Sequence, residues 1–233
     1  RPNLMIKVPA TPQGIPAIRQ LIGAGINVNV TLMFSMAHYE AVAGAYIDGL
    51  RDLVAAGGDP RKVASVASFF VSRVDTAVDA QLEKLADETA AGLMGKTAVA
   101  NSKIVYQRFK DLFHGPAFAD LAAAGAPVQR LLWASTSTKN PAYSPTLYVD
   151  ELIGPQTVST IPPNTVETFR QSGTVANTLE SDVPAAQNVL DSLARLHIDL
   201  GQVTEQLQDD GVTAFANSFT QLMETIAAKS SKF

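Results

Sequence analysis

A repeated alternation limits the fold of this chain more than any other feature: a short apolar run, then a longer amphipathic one, several times over. Residues 4–8 (LMIKV) are the first apolar run. A helical stripe of Ile15, Ile18, Leu21 and Ile22 follows and stops at Gly23 and Gly25. Residues 26–34 (INVNVTLMF) read as a second strand, with Asn27, Asn29 and Thr31 on one face and Val28, Val30 and Leu32 on the other. Ser35 is a natural cap for the helix that runs from there to Gly57 and Gly58. Further strands are expected at 63–74, 128–136 and 157–163, with helices over 75–93 and 96–113 and a short helical stretch around Tyr148 to Ile153. From Val183 onward the pattern is helical, with a break expected at Asp209–Gly211.

Strand, helix, strand in succession means parallel pairing, because the crossover brings the chain back to the same end of the sheet. The expected class is therefore α/β, and one domain is expected over 1–233. Two architectures fit, a closed (β/α)8 TIM barrel and an open doubly wound sheet. Polar residues recur within or at the C-terminal ends of the strands (Lys7, Asn29 and Thr31, Ser68 and Arg73, Ser135 and Thr136), which is where such barrels collect their active-site groups. No GxGxxG follows a strand, so a dinucleotide site is disfavoured. The barrel is the expectation, with about five of its eight strands present and additional C-terminal helices. The chain also opens almost directly into a strand, the pattern expected of an internal cut.

Composition narrows the chemistry. With 46% hydrophobic and 17% charged residues, a sizeable core is expected. A net charge of −4 and the lack of any long Lys/Arg run argue against nucleic acid as a partner. No apolar run is long enough for a membrane helix, and a cytoplasmic protein is expected. There are no cysteines, which excludes thiolate metal sites and cysteine nucleophiles, and the three histidines are never ligand-spaced.

Lys7 stands out because lysine is rarely buried without a partner. It is either a snorkelling residue at a strand end or an amine whose pKa is lowered by an apolar pocket, able to attack a carbonyl. Asn29 and Thr31 share a face beside it and are either core hydrogen-bond partners or groups that orient a substrate hydroxyl and a water. Arg73 is either a solvated rim residue or a two-pronged donor for phosphate. The hydroxyl-rich WASTSTKNP stretch (133–141), with Lys139, is either a polar loop or part of the same site. Apolar helical stripes such as Phe219, Leu222 and Met223 read as core. Asp75 reads as the start of a helix.

The stretches LMIKVPATPQGIPAI, GINVNVTLMFS, SFFVSR and LLWASTSTKNP together resemble the class I, Schiff-base-forming transaldolases. STIPPNTVETF and the C-terminal LDSLARLHIDLGQVTEQLQDDGVTAFANSFTQL extend the resemblance over essentially the whole chain, and WASTSTKNP is similar to the longer-chain bacterial subgroup. The resemblance implies transfer of a dihydroxyacetone unit from a ketose phosphate to an aldose phosphate in the pentose phosphate pathway, without cofactor or metal. It implies Lys7 as the Schiff-base lysine, Thr31 as holder of a catalytic water, and Asn29, Ser68, Phe70, Arg73 and Ser135 as substrate-binding residues. Ser137 stands where many members carry a second phosphate arginine, leaving Lys139 as the nearby cation. The family's first three strands, with their aspartate, asparagine and acid/base glutamate, have no counterpart here. They are expected from the same or a companion chain, and residues 1–233 alone are expected to be poorly soluble or partly folded, and inactive. The alternatives are a simple class I aldolase on the same scaffold and a non-catalytic barrel fragment.

Overall fold

A computed structural model describes residues 3–85 and 87–230. Five strands, β1 (Ile6–Pro9), β2 (Val28–Met33), β3 (Ser65–Phe70), β4 (Arg130–Ala134) and β5 (Thr157–Ser159), form one parallel sheet in the order β1-β2-β3-β4-β5. The helices in chain order are α1 (Gly14–Gly23), α2 (Met36–Ala55), α3 (Ser72–Leu85), α4 (Glu88–Leu93) and α5 (Thr97–Phe113). They continue with α6 (Ala119–Ala123), α7 (Leu147–Glu151), α8 (Pro163–Ser172), α9 (Val183–Arg195) and α10 (Leu200–Ser230).

Strand order decides between the two architectures. Right-handed crossovers that always step to the next strand in the same direction put their helices on one face of the sheet. A doubly wound sheet would reverse direction at a switch point, and none occurs among these strands. The observed order is that of consecutive strands in a barrel wall.

The two faces differ accordingly. Val28, Val30, Ala67, Phe69, Leu131 and Trp133 point to the helical side and are fully buried with Ile18, Tyr39, Tyr46 and Val78. Phe69 and Trp133 meet edge to face, centroids 6.2 Å apart. On the opposite face Val66, Leu132 and Ala134 form a smaller cluster with half-buried Met5, Phe70 and Val158. Lys7 and Asn29 lie on this second face, in register with Val66.

Several expectations need correction. Residues 4–8, whose apolar run reads as a fully buried strand, are not enclosed: among the described residues β1 pairs with β2 alone, and Ile6 and Lys7 are exposed. The third strand stops at Phe70, because Ser72 starts α3 and Arg73 falls in that helix's first turn. The helix expected over 75–93 is divided, and Asp87 caps α4 by accepting from Ala90 N–H. Alternation fails in β2 at a bulge between Val30 and Met33, where Leu32 has φ +60° and Thr31, Leu32 and Met33 are all buried.

Nor is there a break at Asp209–Gly211, since α10 runs through it. Gly211 is buried there, packed so closely on Leu32 that a Cβ would come within 2.8 Å of its Cδ2. Beyond it every residue from Val212 to Ser230 is exposed, so Phe219, Leu222 and Met223 are not core. Among the described residues no helix is long and apolar enough to cross a membrane.

Candidate active site

Lys7, Asn29 and Ser68 occupy three adjacent strands on the open face. Lys7 and Asn29 are register partners, and Ser68 Oγ donates to Asn29 Oδ1 at 2.7 Å. That bond fixes the amide and leaves its N–H groups without a partner among the described residues. Thr31, two residues beyond Asn29 and 3% exposed, has an Oγ1 with no hydrogen-bond partner. Burying a hydroxyl unpaired costs about 1–3 kcal/mol, so its exception calls for an explanation. Thr31 and Lys7 line the same cavity of about 250 Å³, together with Pro9, Leu32, Val212 and Phe215. An unpaired hydroxyl beside an amine is a place for a water or a substrate oxygen.

A second cavity, of about 400 Å³, lies at the C-terminal ends of β3 and β4 and is lined by Ser72, Arg73, Thr76, Ser135, Lys139 and Leu207. The Arg73 guanidinium sits over the Phe70 ring, 5.2 Å from its centroid, and Phe70 in turn lies 5.2 Å from Phe34. Lys139 donates to Ser137 Oγ at 3.0 Å. Among the described residues neither cation has a carboxylate partner, so two positive charges and the first turn of α3 face one space, a favourable setting for an anion. Ser135 takes φ +58°, and its Oγ meets Ser72 Oγ at 2.8 Å while its carbonyl accepts from Ser72 N–H. Leu32 and Ser135, two non-glycine residues in left-handed conformation, thus border the two cavities. Such strain is worth about 1–3 kcal/mol and collects at functional sites.

The loop carrying Lys139 is tied down from behind. Asp79 accepts from Tyr143 O–H at 2.7 Å and from Gly95 N–H at 3.0 Å. Asp75 accepts from Ala98 N–H at 2.7 Å and Tyr148 O–H at 2.8 Å. Burial pushes the Asp75 carboxyl up to about 6, with those two donors opposing the rise and Asp79 adding to it. Asp75 does not begin a helix but lies in the first turn of α3, which starts at Ser72, and its carboxyl holds α5 and α7 against α3.

Of the eight residues singled out in the sequence, five line one of the two cavities and three lie on the open strand face. Lys7 and Thr31 border the first, Arg73, Ser135 and Lys139 the second, and Asn29, Ser68 and Phe70 lie on the strand face. The α10 contributors Leu207, Val212 and Phe215 carried no local signal; helical periodicity alone does not say which turn of a long helix crosses a strand end. Among the described residues no group of three or more His, Asp or Glu side chains could hold a metal ion.

Residues 1–226 match the family described as Transaldolase/Fructose-6-phosphate aldolase. The chain belongs to this family. A transaldolase of Trichodesmium erythraeum is 46% identical over 242 residues, covering 100% of this chain and 64% of its own length. Those of Mycolicibacterium smegmatis and Thiobacillus denitrificans are each 48% identical, covering 96% and 97% of this chain and 61% and 63% of their own lengths. The chain thus spans 61–64% of the length of these transaldolases. As a member of the family it is an α/β protein of the barrel type, seen here as five consecutive strands.

Proposed function

We propose that the polypeptide carrying this chain is a transaldolase that moves a dihydroxyacetone unit between sugar phosphates through a Schiff base on Lys7. The observation that carries this reading is the side-by-side placement of Lys7, Asn29 and Ser68 on one sheet face, with the Arg73/Lys139 cavity at its C-terminal rim. The Lys7 amine adds to the ketone carbon of a ketose phosphate such as fructose 6-phosphate or sedoheptulose 7-phosphate. Water leaves, and an iminium forms. A base takes the proton of the hydroxyl on the neighbouring carbon chain, the carbon–carbon bond breaks, and its electron pair passes into the iminium to give an enamine. The first aldose phosphate departs. The enamine carbon then adds to the aldehyde of a second aldose phosphate, whose oxygen takes a proton, and water hydrolyses the new iminium to free Lys7.

Asn29 and Ser68 orient donor hydroxyls, and Thr31 Oγ1 holds the water used in imine formation and hydrolysis. Arg73 and Lys139 hold the phosphate, so that its binding energy places the reacting carbons. No Asp or Glu lies in β1–β5, so we assign the base to polypeptide outside this chain, together with the strands that cover the open face. The greater length of the relatives supports that assignment.

Transfer and simple aldol cleavage separate cleanly in one assay. Given fructose 6-phosphate alone, the full-length protein should release one equivalent of triose phosphate and stall until an aldose phosphate is added. Continuous turnover without acceptor would mean an aldolase instead.

A further inference from the structure

The Lys7 cavity has one wall that is neither strand nor polar. α10 supplies it, and three contacts fix where that helix lies. His38 Nδ1 accepts from Phe34 N–H, so its Nε2 carries the proton and donates to Glu205 Oε1 at 2.9 Å. One turn on, Gln208 Nε2 donates to two carbonyls at once, Ala10 O at 3.1 Å and Leu32 O at 2.9 Å. These are backbone oxygens at the C-terminal ends of β1 and β2. One further turn on, Gly211 seats α10 directly on Leu32, the residue at the β2 bulge. The helix is thereby clamped to the very strand ends that carry Lys7 and Thr31, and its next turn brings Val212 and Phe215 into their cavity.

We propose that Phe215 is a positioning and shielding residue of the Lys7 site: it packs on the carbon chain of the bound donor and keeps water from the enamine. This rests on the reading that Lys7 forms the imine. An enamine has two fates. Carbon–carbon bond formation with an aldehyde gives transfer, whereas protonation of its carbon by water, followed by hydrolysis of the resulting iminium, gives free dihydroxyacetone and the free amine. A wall with no hydrogen-bonding group favours the first by excluding the proton donor for the second. Phe215 is 53% exposed, lies outside the packed core, and with Val212 is one of the two exposed apolar residues of α10 that border the cavity. Phe219 is one turn further along the same helix, 64% exposed, and does not border the cavity.

The test uses the full-length protein with fructose 6-phosphate, reading free dihydroxyacetone release against transfer to an aldose phosphate, with borohydride trapping in parallel. Phe215→Ala is expected to raise the release-to-transfer ratio about tenfold or more while the adduct still forms on Lys7. Phe215→Leu should fall between it and the unmutated protein, and supplies the reading should the alanine variant fold poorly. Phe219→Ala should leave the ratio unchanged. An unchanged ratio in Phe215→Ala, loss of trapping in that variant alone, or an equal rise in Phe219→Ala would each overturn the shielding role. Absence of a Lys7 adduct in the unmutated protein would instead overturn the Schiff-base reading beneath it.

Discussion

Phe69 and Phe70 are neighbours in sequence and point to opposite faces of the sheet. Phe69 is fully buried against Trp133 under the helices. Phe70 is half-buried on the other side, with Arg73 over its ring. The contrast is clearest on β2 and β3, where Val28, Val30, Ala67 and Phe69 lie under the helices and Asn29 and Ser68 on the other face. The helical face is almost wholly aliphatic and aromatic, and what it does is hold α1, α2, α3 and α5 to the sheet. The open face mixes a small apolar cluster with Lys7, Asn29 and Ser68. On the function proposed above, one side of the sheet contributes stability and the other supplies chemical groups. Substitutions on the two sides should therefore fail in different ways.

The largest effect expected is on the covered face. Phe69→Ala removes a fully buried ring and should cost about 3–5 kcal/mol of stability, read by denaturant unfolding of the full-length protein, with KM of the remaining folded enzyme little changed. Comparable loss of substrate affinity would break the division between faces.

Behind the sheet, Asp75 provides a pH signature. Its folded-state pKa, raised from 3.8 to about 6, means that the native protein binds the proton more tightly than the unfolded chain. Its contribution is therefore fully present below pH 4 and is lost as the pH rises through 6. The full shift corresponds to about 3 kcal/mol. Asp75→Asn should flatten that part of the stability–pH profile, because an amide can still accept from Ala98 N–H and face Tyr148. An unaltered profile would place the titration elsewhere.

On the open side Arg73→Ala should raise KM for phosphorylated donors by roughly a factor of 10 to 150, the worth of one charge-assisted contact of about 1.5–3 kcal/mol, while unphosphorylated donors are spared. Equal damage to both would make Arg73 a structural residue. Phe70→Ala should act in the same direction and more weakly. The cation–π support it gives Arg73 is worth about 0.5–2 kcal/mol, and its stability cost should be well below that of Phe69→Ala.

Much of this was legible in the chain itself, for reasons that particular residues make plain. The β-α alternation has two clear periods, and Ser35, Gly57 and Gly58 mark helix ends by local chemistry that tertiary context does not override. Lys7, Asn29 and Ser68 could be picked out because each is a polar residue in a strand, where its neighbours set an apolar background. What misled was context. Leu4 to Val8 have the composition of an interior strand, but among the described residues β1 pairs on one side only, and hydropathy cannot report which neighbours are in place. The run through Arg73 looked like strand because its apolar residues continue past Phe70, although the chain has already turned into α3. Asp209–Gly211 has the composition of a turn, yet Gly211 is there to let α10 approach Leu32. Gln208 and Phe215 were invisible because their partners lie far away in sequence, from 176 residues for Gln208 and Leu32 to 198 for Gln208 and Ala10, with a similar separation for Phe215 and Lys7.

The division between the faces is tested most directly by where the substrate carbon becomes attached. Full-length protein incubated with fructose 6-phosphate and reduced with borohydride should carry one adduct of a dihydroxyacetone unit, and peptide mapping should place it on Lys7; Lys7→Ala should fold normally, trap nothing and transfer nothing. An adduct on Lys62, Lys84 or Lys139, or full transfer activity in Lys7→Ala, would contradict the assignment of chemistry to the open face.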